Sequence, residues 1–499
     1  MADYNLVPVP VHLEEGDGVL PLAGVTVGGP LAELLASELA TLIGGDVPVV
    51  QEPVVSLAVE DGGEAGSYEL AITPGGATVT GADRAGLRYG IFTLAQLARR
   101  AGEGWELPAV AIQDAPRFAY RGVMLDTARH FFDVATVKRV IDRAARLKLN
   151  VLHLHLTDDQ GWRIEIESRP ELTRLASGTG VFSDEGGHYT KADFAEIVAY
   201  AAANDMVVVP EIDLPGHTHA ISLAYPDLME EPQLLPSVME SVEAYGGDAP
   251  INGEPYRGMA VGFSSVRIDH EPTYEFLADV LGDLAEMTPG PWLHIGGDEC
   301  HGTDKADYVA FINRVTDMVA GLGKTPMLWH EAGAADSLAS GAVGQFWDLR
   351  SHDADVAEKT RAFPAVGGKV VLSPADAAYL DMKYDADTEI GLVWADGPTS
   401  VERSYDWEPG TLVHGLAEDD SLGVEAPLWT ETVTDLAAID QLMFPRLASA
   451  AEHAWSPAKG AHPSRTWESF ADRLGGLAPL WEAQGVGFHR SQEIAWVDA

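Results

Sequence analysis

The chain has 499 residues, of which 46% are hydrophobic and 22% charged, an ordinary composition for a globular protein. This length predicts two or three domains, or one large barrel with an extra module. The formal net charge is −45, and such a polyanion repels nucleic acid and anionic membrane surfaces. We therefore expect neither as a partner and favour a neutral or cationic small substrate. Salt adaptation and oligomeric state stay open.

Cysteine content and the first residues of the chain bear on the cellular compartment. Cys300 is the only cysteine, so the chain forms no intramolecular disulfide and no multi-cysteine metal site. The first residues lack the basic and apolar segments of a signal peptide, and no later apolar run is long enough to span a membrane. These features predict a cytoplasmic protein, or a secreted one if a leader has been removed.

Residues 1–116 predict a small α/β domain made of an antiparallel sheet and a helix. Residues 68–72 and 77–80 alternate in polarity like strands on either side of the turn 74–76, which is typical of a β-hairpin. A helix is predicted next, because four apolar residues recur at helical spacing: Leu87, Ile91, Leu94 and Leu97.

Residues 117–499 predict a (β/α)8 barrel, that is a TIM barrel, with a C-terminal helical segment. Short apolar runs alternate there with helical patterns, which is typical of parallel βα units. Eight candidate strands close such a barrel, and its chemistry lies at their C-terminal ends. The candidates are Gly122–Leu125, Val151–Leu156, Val207–Ile212, Trp292–Ile295, Met327–Trp329, Val343–Trp347, Val370–Leu372 and Val424–Trp429.

Two long insertions and one short connection are also expected in this barrel. The insertions follow the third strand, roughly over residues 214–291, and the seventh strand, roughly over residues 373–423. Loops of that length in a compact enzyme usually shape the active site. The segment after the fifth strand is short, so a shortened helix is predicted there. Before the third strand, Thr190 and Asp193 form a predicted capping box, which indicates that a helix begins there.

The segment Leu293–Glu299 is the most informative motif, because a buried strand leads through two glycines into two adjacent carboxylates. Neighbouring residues of a regular strand point to opposite faces, so Asp298 and Glu299 could not share a site on such a strand. Glycine allows the chain to bend, which predicts that both acids reach one pocket. Paired carboxylates at the end of a barrel strand indicate acid-assisted chemistry on a sugar.

Polar and aromatic residues also follow each of the remaining predicted strands. Any one of them has a structural explanation, since Asp and Glu cap helices and Trp fills barrel ends. Four tryptophans and at least six carboxylates on one rim instead indicate a carbohydrate pocket. The residues are Asp126, Arg129, His130, Asp158, Asp159, Gln160, Glu211, Asp213, His217, His219, Trp329, His330, Glu331, Trp347, Asp348, Tyr379, Asp381, Trp394, Trp429 and Glu431.

Six motifs in this region resemble glycoside hydrolase family 20, the β-N-acetylhexosaminidases. They are RGVMLDTARHFF, LHLTDDQGWRIEI, VPEIDLPGHTHA, LHIGGDE, LSPADAAYLDMKY and GVEAPLWTE, in that order along the barrel. The first domain is similar to the α/β domain that precedes the barrel in this family. The resemblance implies a retaining exo-enzyme that releases terminal N-acetylglucosamine or N-acetylgalactosamine. It also implies substrate-assisted catalysis, in which the 2-acetamido group attacks and gives an oxazolinium intermediate.

The resemblance also implies a role for each site residue. Glu299 would be the general acid and base, with Asp158 and His217 supporting it. Asp298 would orient the acetamido N–H, and Tyr379 would hold the acetamido oxygen. The remaining residues would bind the sugars: Trp329, Trp347 and Trp429 around the acetamido group, Arg129, Asp381 and Glu431 on the hydroxyls, and Trp394 on the leaving sugar.

Three alternative functions are weighed against this one. His153 and His155 share a strand face, and His217 with His219 repeats the spacing, as in a zinc-dependent barrel hydrolase. We favour hydrogen-bonded core histidines and expect neither a metal nor a cofactor. A catalytically inactive sugar-binding protein is disfavoured, because every expected catalytic position is filled. A disaccharide-releasing lacto-N-biosidase type of enzyme would need a deeper pocket.

Overall fold

The computed structural model describes residues 4–102 and 104–498, which form a small sheet domain packed against a closed barrel. The first domain contains β1 (His12–Pro21), β2 (Val27–Gly28), α1 (Ala32–Ile43), β3 (Val55–Val59), β4 (Tyr68–Thr73), β5 (Gly76–Gly81), α2 (Arg84–Gln96), β6 (Arg99–Ala101) and β7 (Gly104–Asp114). Its strand order is β1-β7-β4-β5-β3-β2, and β6 pairs with β7. The predicted hairpin is β4–β5 and the predicted helix is α2.

This sheet is mixed rather than purely antiparallel, and it carries two helices instead of one. Strand β3 runs parallel to both β2 and β5, while the other pairs are antiparallel. A parallel pair needs a crossover connection, and α1 lies between β2 and β3. The apolar side of α1 was readable in the sequence at helical spacing, since Leu35, Leu39 and Leu42 are buried.

The second part of the chain contains the eight barrel strands and the elements that connect them. In chain order it contains β8 (Tyr120–Asp126), α3 (Val134–Arg146), β9 (Val151–His155), a hairpin of β10 (Thr157–Asp158) and β11 (Gly161–Trp162), α4 (Glu171–Ala176), α5 (Lys191–Ala203), β12 (Val207–Glu211), α6 (Pro236–Tyr245), α7 (Glu271–Met287), β13 (Trp292–His294), α8 (Lys305–Gly321), β14 (Thr325–Trp329), β15 (Val343–Phe346), α9 (Ala354–Ala365), β16 (Val370–Leu372), α10 (Ala375–Ala378), α11 (Val401–Tyr405), α12 (Pro409–Leu412), β17 (Ser421–Leu428), α13 (Leu436–Met443), α14 (Arg446–Trp455) and α15 (Trp467–Ala483).

All eight predicted barrel strands are confirmed, and they close in the order β12-β13-β14-β15-β16-β17-β8-β9. The capping box at Thr190 and Asp193 opens α5 as predicted. Strand β14 is followed only by a 3-10 turn, His330–Ala334, which confirms the shortened connection. The two long insertions hold α6 with α7 and α10 to α12, respectively. Among the described residues, no helix combines the length and apolarity that a membrane span requires.

The interior of the barrel changes from apolar to polar along the strands. Its N-terminal layer is apolar and consists of Tyr120, Val151, Val209, Met327, Val343 and Val371. Side chains two residues further along a strand point to the same face, so the next layer follows directly from this one. That layer is polar, and it contains His153, Glu211, Trp329, Gln345 and Glu425, all fully or almost fully buried. The polar layer therefore lies at the C-terminal side, where chemistry in this fold takes place.

A buried ion pair joins the small domain to the barrel. The Lys148 ammonium, at the end of α3, lies 3.1 Å from the carboxylate of Asp114, which ends β7. The Tyr68 hydroxyl and the Trp455 indole also donate to Asp114, at 2.6 and 3.0 Å. All four side chains are buried, so the two parts of the chain share one continuous core.

Replacing Lys148 by Met is expected to lower the free energy of unfolding by about 3 kcal/mol, because it leaves the Asp114 charge buried without its cation. Urea denaturation measures this value. Lys191→Met is the matched control, since its ion pair with Glu167 is largely exposed and should contribute far less to stability. Equal losses of unfolding free energy in the two variants would contradict the interpretation that the Lys148–Asp114 pair stabilises the contact between the small domain and the barrel.

Candidate active site

A pocket of about 860 Å³, including its open mouth, lies at the C-terminal ends of the barrel strands. Nine of the twelve predicted site residues line it: Arg129, His217, Asp298, Glu299, Trp347, Tyr379, Trp394, Trp429 and Glu431. Five further lining residues were not predicted: Ser241, Tyr245, Met259, Val261 and Leu392. The loops after six different strands therefore converge on one concave site.

The other three predicted residues lie behind this wall. The Asp158 carboxylate is buried beneath Arg129 and His217. Trp329 is 1% exposed and packs behind Trp429, with ring centroids 6.0 Å apart. Asp381 is likewise 1% exposed. Strand position predicts which residues reach the rim of the barrel, but the depth of each side chain depends on local backbone angles that the sequence pattern does not give.

The turn after β13 brings both acids into the pocket, as the two glycines predict. Gly296 and Gly297 have φ angles of 64° and 109°, in the region that favours glycine. A Cβ atom on Gly296 would lie 1.6 Å from Oδ1 of Asp213, so no other residue fits. The same Asp213 oxygen accepts the Gly297 N–H at 3.2 Å and holds the turn. Asp298 and Glu299 then both line the pocket.

Four side chains form a line of charges that ends at Glu299. Arg129 Nη2 lies 2.9 Å from Oδ2 of Asp158, and His217 Nδ1 lies 3.2 Å from Oδ1 of the same carboxylate. His217 Nε2 lies 3.4 Å from Oε2 of Glu299 and 3.7 Å from Oδ2 of Asp298. The predicted supporting pair therefore does stand behind Glu299, and the imidazole lies between both catalytic candidates.

Two residues of this line, His217 and Glu299, have a strained backbone. His217 has a φ of 55° and Glu299 a φ of 49°, both in the left-handed region. This conformation is uncommon for residues other than glycine, and such outliers often occur at functional sites. Strain at Glu299 and His217 is consistent with a site in which an unfavourable backbone conformation is kept because it positions the side chain.

Charges around His217 set the protonation of both acids. Burial lowers the pKa of His217, but Asp158, Asp298 and Asp213 together raise it well above its usual value. Burial raises the pKa of Glu299, and the hydrogen bond and charge of His217 more than reverse this, so the pKa is lowered. For Asp298, burial raises the pKa to about 7 despite the nearby His217. Of the two pocket acids, Asp298 therefore has the raised pKa and Glu299 the lowered one.

Several buried polar atoms belong to residues that line the pocket or lie just behind its wall and are not satisfied by the described part of the protein. Within the described residues, no hydrogen-bond partner is found for Oδ1 of Asp298, Oε2 of Glu431, either carboxylate oxygen of Asp381, or Nε of Arg129. Burial and the charge of Glu431 raise the pKa of Asp381 well above its usual value. Because buried polar atoms are normally hydrogen-bonded, these groups fit a ligand with several hydroxyls and an amide N–H.

Aromatic rings surround these polar groups. Trp347 and Trp394 have ring centroids 6.0 Å apart, and Tyr379 lies 5.7 Å from Trp394 and 6.3 Å from Trp429. The indole N–H of Trp347 donates to Glu331 at 2.8 Å, which fixes the ring. Apolar walls with a few oriented polar groups are the usual composition of a small-molecule pocket.

Glu331 and Glu211 are two supporting residues whose roles the sequence did not reveal. Burial raises the pKa of Glu331 to about 7, and its charge contributes to the raised pKa of Asp298. Glu211 accepts the indole N–H of Trp329 at 3.0 Å. Both residues stand at predicted strand ends, which is the signal that could have found them, but an acid there is equally typical of a helix cap.

Buried histidines of the barrel are engaged with carboxylates, as the core-histidine interpretation predicts. His153 lies 2.9 Å from Glu425 and 3.2 Å from Glu211, and His155 contacts Glu211 and Asp158. Four groups of three residues still bring possible metal ligands within 4.8 Å of one another: His153, Glu211 and His294; His155, Asp158 and Asp213; Asp158, Asp159 and His217; Asp213, His217 and Asp298. Several of these histidines and carboxylates already pair with one another, and independence from metal stays a prediction.

Asp158→Asn is expected to move the basic limb of the kcat/KM profile to higher pH, by on the order of one unit. Without the Asp158 charge His217 holds its proton less tightly, so it no longer lowers the pKa of Glu299 as strongly. The general acid then stays protonated to higher pH. Measuring kcat/KM across pH reads this shift separately from any loss of rate.

Asp159→Asn is the matched control for this variant. The Asp159 carboxylate is equally buried, but it accepts from the Ser264 hydroxyl and the His219 backbone N–H, not from His217. We expect a much smaller displacement of the basic limb. An unchanged profile in Asp158→Asn would show that the Asp158–His217 pair does not set the pKa of Glu299.

Comparison with known proteins gives the class to which this fold and pocket belong. Residues 118–458 match the glycosyl hydrolase family 20 catalytic domain, and residues 3–115 match domain 2 of the same family. The chain belongs to glycosyl hydrolase family 20, which confirms the resemblance seen in the six motifs.

Individual relatives agree over almost the whole length. A β-N-acetylhexosaminidase of Cellulomonas fimi is 40% identical, covering 99% of this chain and 98% of its own. A solved structure described as a glycoside hydrolase family 20 β-N-acetylglucosaminidase is 53% identical, with a TM-score of 0.91 and 99% of each chain covered. The N-acetyl-β-hexosaminidase of Streptomyces plicatus, solved with Thio-NAglucal, is 40% identical, with a TM-score of 0.89 over 100% of this chain and 98% of its own.

Proposed function

We propose that this protein is a retaining exo-β-N-acetylhexosaminidase that releases terminal N-acetylglucosamine or N-acetylgalactosamine from glycosides. One observation carries the proposal: adjacent Asp298 and Glu299 both face one aromatic-walled pocket, with His217 between them. Support also comes from relatives, since the Streptomyces plicatus enzyme has been solved with the product GlcNAc and with Thio-NAglucal.

The first chemical step uses the substrate's own amide as nucleophile. The acetamido carbonyl oxygen bonds to the anomeric carbon while the glycosidic C–O bond breaks, and Glu299 gives its proton to the leaving oxygen. Positive charge develops on the amide nitrogen, whose N–H donates to the otherwise unpartnered Oδ1 of Asp298. Tyr379 lines the same pocket and holds the acetamido oxygen in line for attack.

Substrate binding must move a proton before this step. Asp298 needs to be ionised and Glu299 protonated, whereas the pKa of Asp298 is raised and that of Glu299 lowered. A hydrogen bond from the substrate N–H favours the charged form of Asp298, and exclusion of water disfavours the charged form of Glu299. Both effects act in the direction that catalysis requires.

In the second step Glu299 acts as a base. It takes a proton from a water molecule, whose oxygen bonds to the anomeric carbon on the face that the leaving group vacated. The bond between the anomeric carbon and the acetamido oxygen breaks, and the amide returns to its neutral form. Two inversions at the same carbon give overall retention of configuration.

A closed pocket end favours removal of single sugars over disaccharide release. Glu431 lines the pocket and Asp381 lies behind it, both with carboxylate oxygens that have no partner among the residues that the structure describes. The charge of Arg129 interacts with that of Glu431, and its guanidinium carbon lies 4.9 Å from the ring centroid of Trp429. These groups fit the 3-, 4- and 6-hydroxyls of a terminal sugar, which leaves the sugar no path inward.

Glu299→Gln is expected to reduce turnover of chitobiose by on the order of a hundred- to ten-thousand-fold, because the amide cannot protonate the leaving oxygen. Initial rates on purified, folded variant measure this loss. The matched control is Glu243→Gln, an exposed acid of α6 that is not among the pocket-lining residues, and it should keep wild-type turnover. Near wild-type hydrolysis of chitobiose by the Glu299 variant would remove the residue from its role.

The 2-acetamido group is expected to be essential, since a substrate without it loses the nucleophile. The 4-nitrophenyl glucoside should be nearly inert while the matching N-acetylglucosaminide is hydrolysed. A thiazoline that mimics the oxazolinium should inhibit competitively, because it resembles the bound intermediate more than the substrate does. A stable adduct on Asp298 or Glu299, seen by intact mass after incubation with a 2-fluoro glycoside, would refute the mechanism.

A further inference from the structure

The insertion after β12 sends an arm, defined here as residues 230–262, into the wall of the pocket. The arm carries α6, in which Ser241 and Tyr245 are four residues apart and therefore share one helix face. Both line the pocket, together with Met259 and Val261 from the end of the arm. None of these four belongs to the acidic and aromatic groups that bind the terminal sugar in the mechanism above.

The arm has a core and fixed attachments of its own. Val238, Tyr256 and Ala260 form a small apolar cluster with Phe263, just beyond the arm. The side chain of Gln160 donates to the carbonyl of Gly258 at 2.9 Å, which ties the arm to the β10–β11 hairpin. The pocket-facing residues of the arm are thus held in place rather than carried on an unsupported loop.

Topology sets the arm opposite Trp394. The closed barrel has eight strands, and β12 and β16 are four positions apart in its order, which is half the circumference. The arm follows β12, and the loop with Trp394 follows β16, so they approach the mouth from opposite sides. Trp394 is 45% exposed and Tyr245 43% exposed, although both line the pocket. Two half-exposed aromatic rings therefore flank the same opening.

We propose that Tyr245 forms the second wall of the leaving-group site and selects substrates whose leaving group is itself a sugar ring. This inference rests on the proposed function. A pyranose has two faces, and each apolar C–H face can stack on an aromatic ring, so a ring between Trp394 and Tyr245 contacts both walls. A leaving group of one or two carbon atoms reaches neither wall.

The test compares chitobiose with methyl N-acetyl-β-glucosaminide in the full-length enzyme. Both substrates have an alkoxide leaving group that needs the proton of Glu299, but only chitobiose has a second ring. Tyr245→Ala is expected to lower kcat/KM for chitobiose by about two- to tenfold, the range for one aromatic contact, and to leave the methyl glycoside unchanged. Tyr245→Phe, which keeps the ring, should restore the wild-type ratio.

Met239→Ala is the matched control, because Met239 lies on the same helix and is 41% exposed but is not among the pocket-lining residues. The ratio of the two kcat/KM values should stay at the wild-type level in this variant. Equal losses on both substrates in Tyr245→Ala, no loss on either, or the same change in Met239→Ala would overturn the inference. Wild-type enzyme inactive on both substrates would instead overturn the proposed function.

Discussion

One buried carboxylate, Glu211, fixes the arrangement on which the rest of the site depends. Its Oε2 contacts His155 and lies 3.2 Å from His153, while its Oε1 lies 2.8 Å from His294 and accepts from the Trp329 indole. Burial raises the pKa of Glu211, but the three histidines lower it far more, so it stays ionised. A buried anion must be paired to be tolerated, and this pairing also orients Asp158, because His155 lies 2.8 Å from the Asp158 carboxylate.

The polar layer of the barrel thus fixes the positions of the site residues above it and does not only fill the barrel interior. The apolar layer below it closes the barrel, and the ionic layer above it can adopt few alternative arrangements, because each member needs its partners. Asp158 is held both from below, by His155, and from the side, by Arg129. The imidazole of His217 is then the only member of the line that contacts both pocket acids, which couples their protonation states.

Sequence patterns predicted the barrel well and the site in part. The strands were predictable because short apolar runs end abruptly in polar residues, and the glycines before Asp298 and Glu299 required a bend. How deeply each side chain lies behind the pocket surface was not predictable, because Trp329 and Asp381 follow their strands in the same way as the pocket-lining residues do. The arm was not predictable either, since Tyr245 lies in a long insertion and reaches the pocket through tertiary packing alone.

The left-handed backbone at Glu299 and His217 has a consequence for how this protein can change over time. A strained residue at each position costs on the order of 1 kcal/mol or more, and glycine or asparagine would adopt the same backbone with less strain. Buried carboxylates such as Asp381, for which the described part of the chain supplies no hydrogen-bond partner, add a further cost. Substitutions that remove the strained conformation or the buried carboxylate would give a more stable but inactive protein. Selection for activity must therefore act continuously at these positions, and efforts to raise thermal tolerance should look elsewhere in the chain.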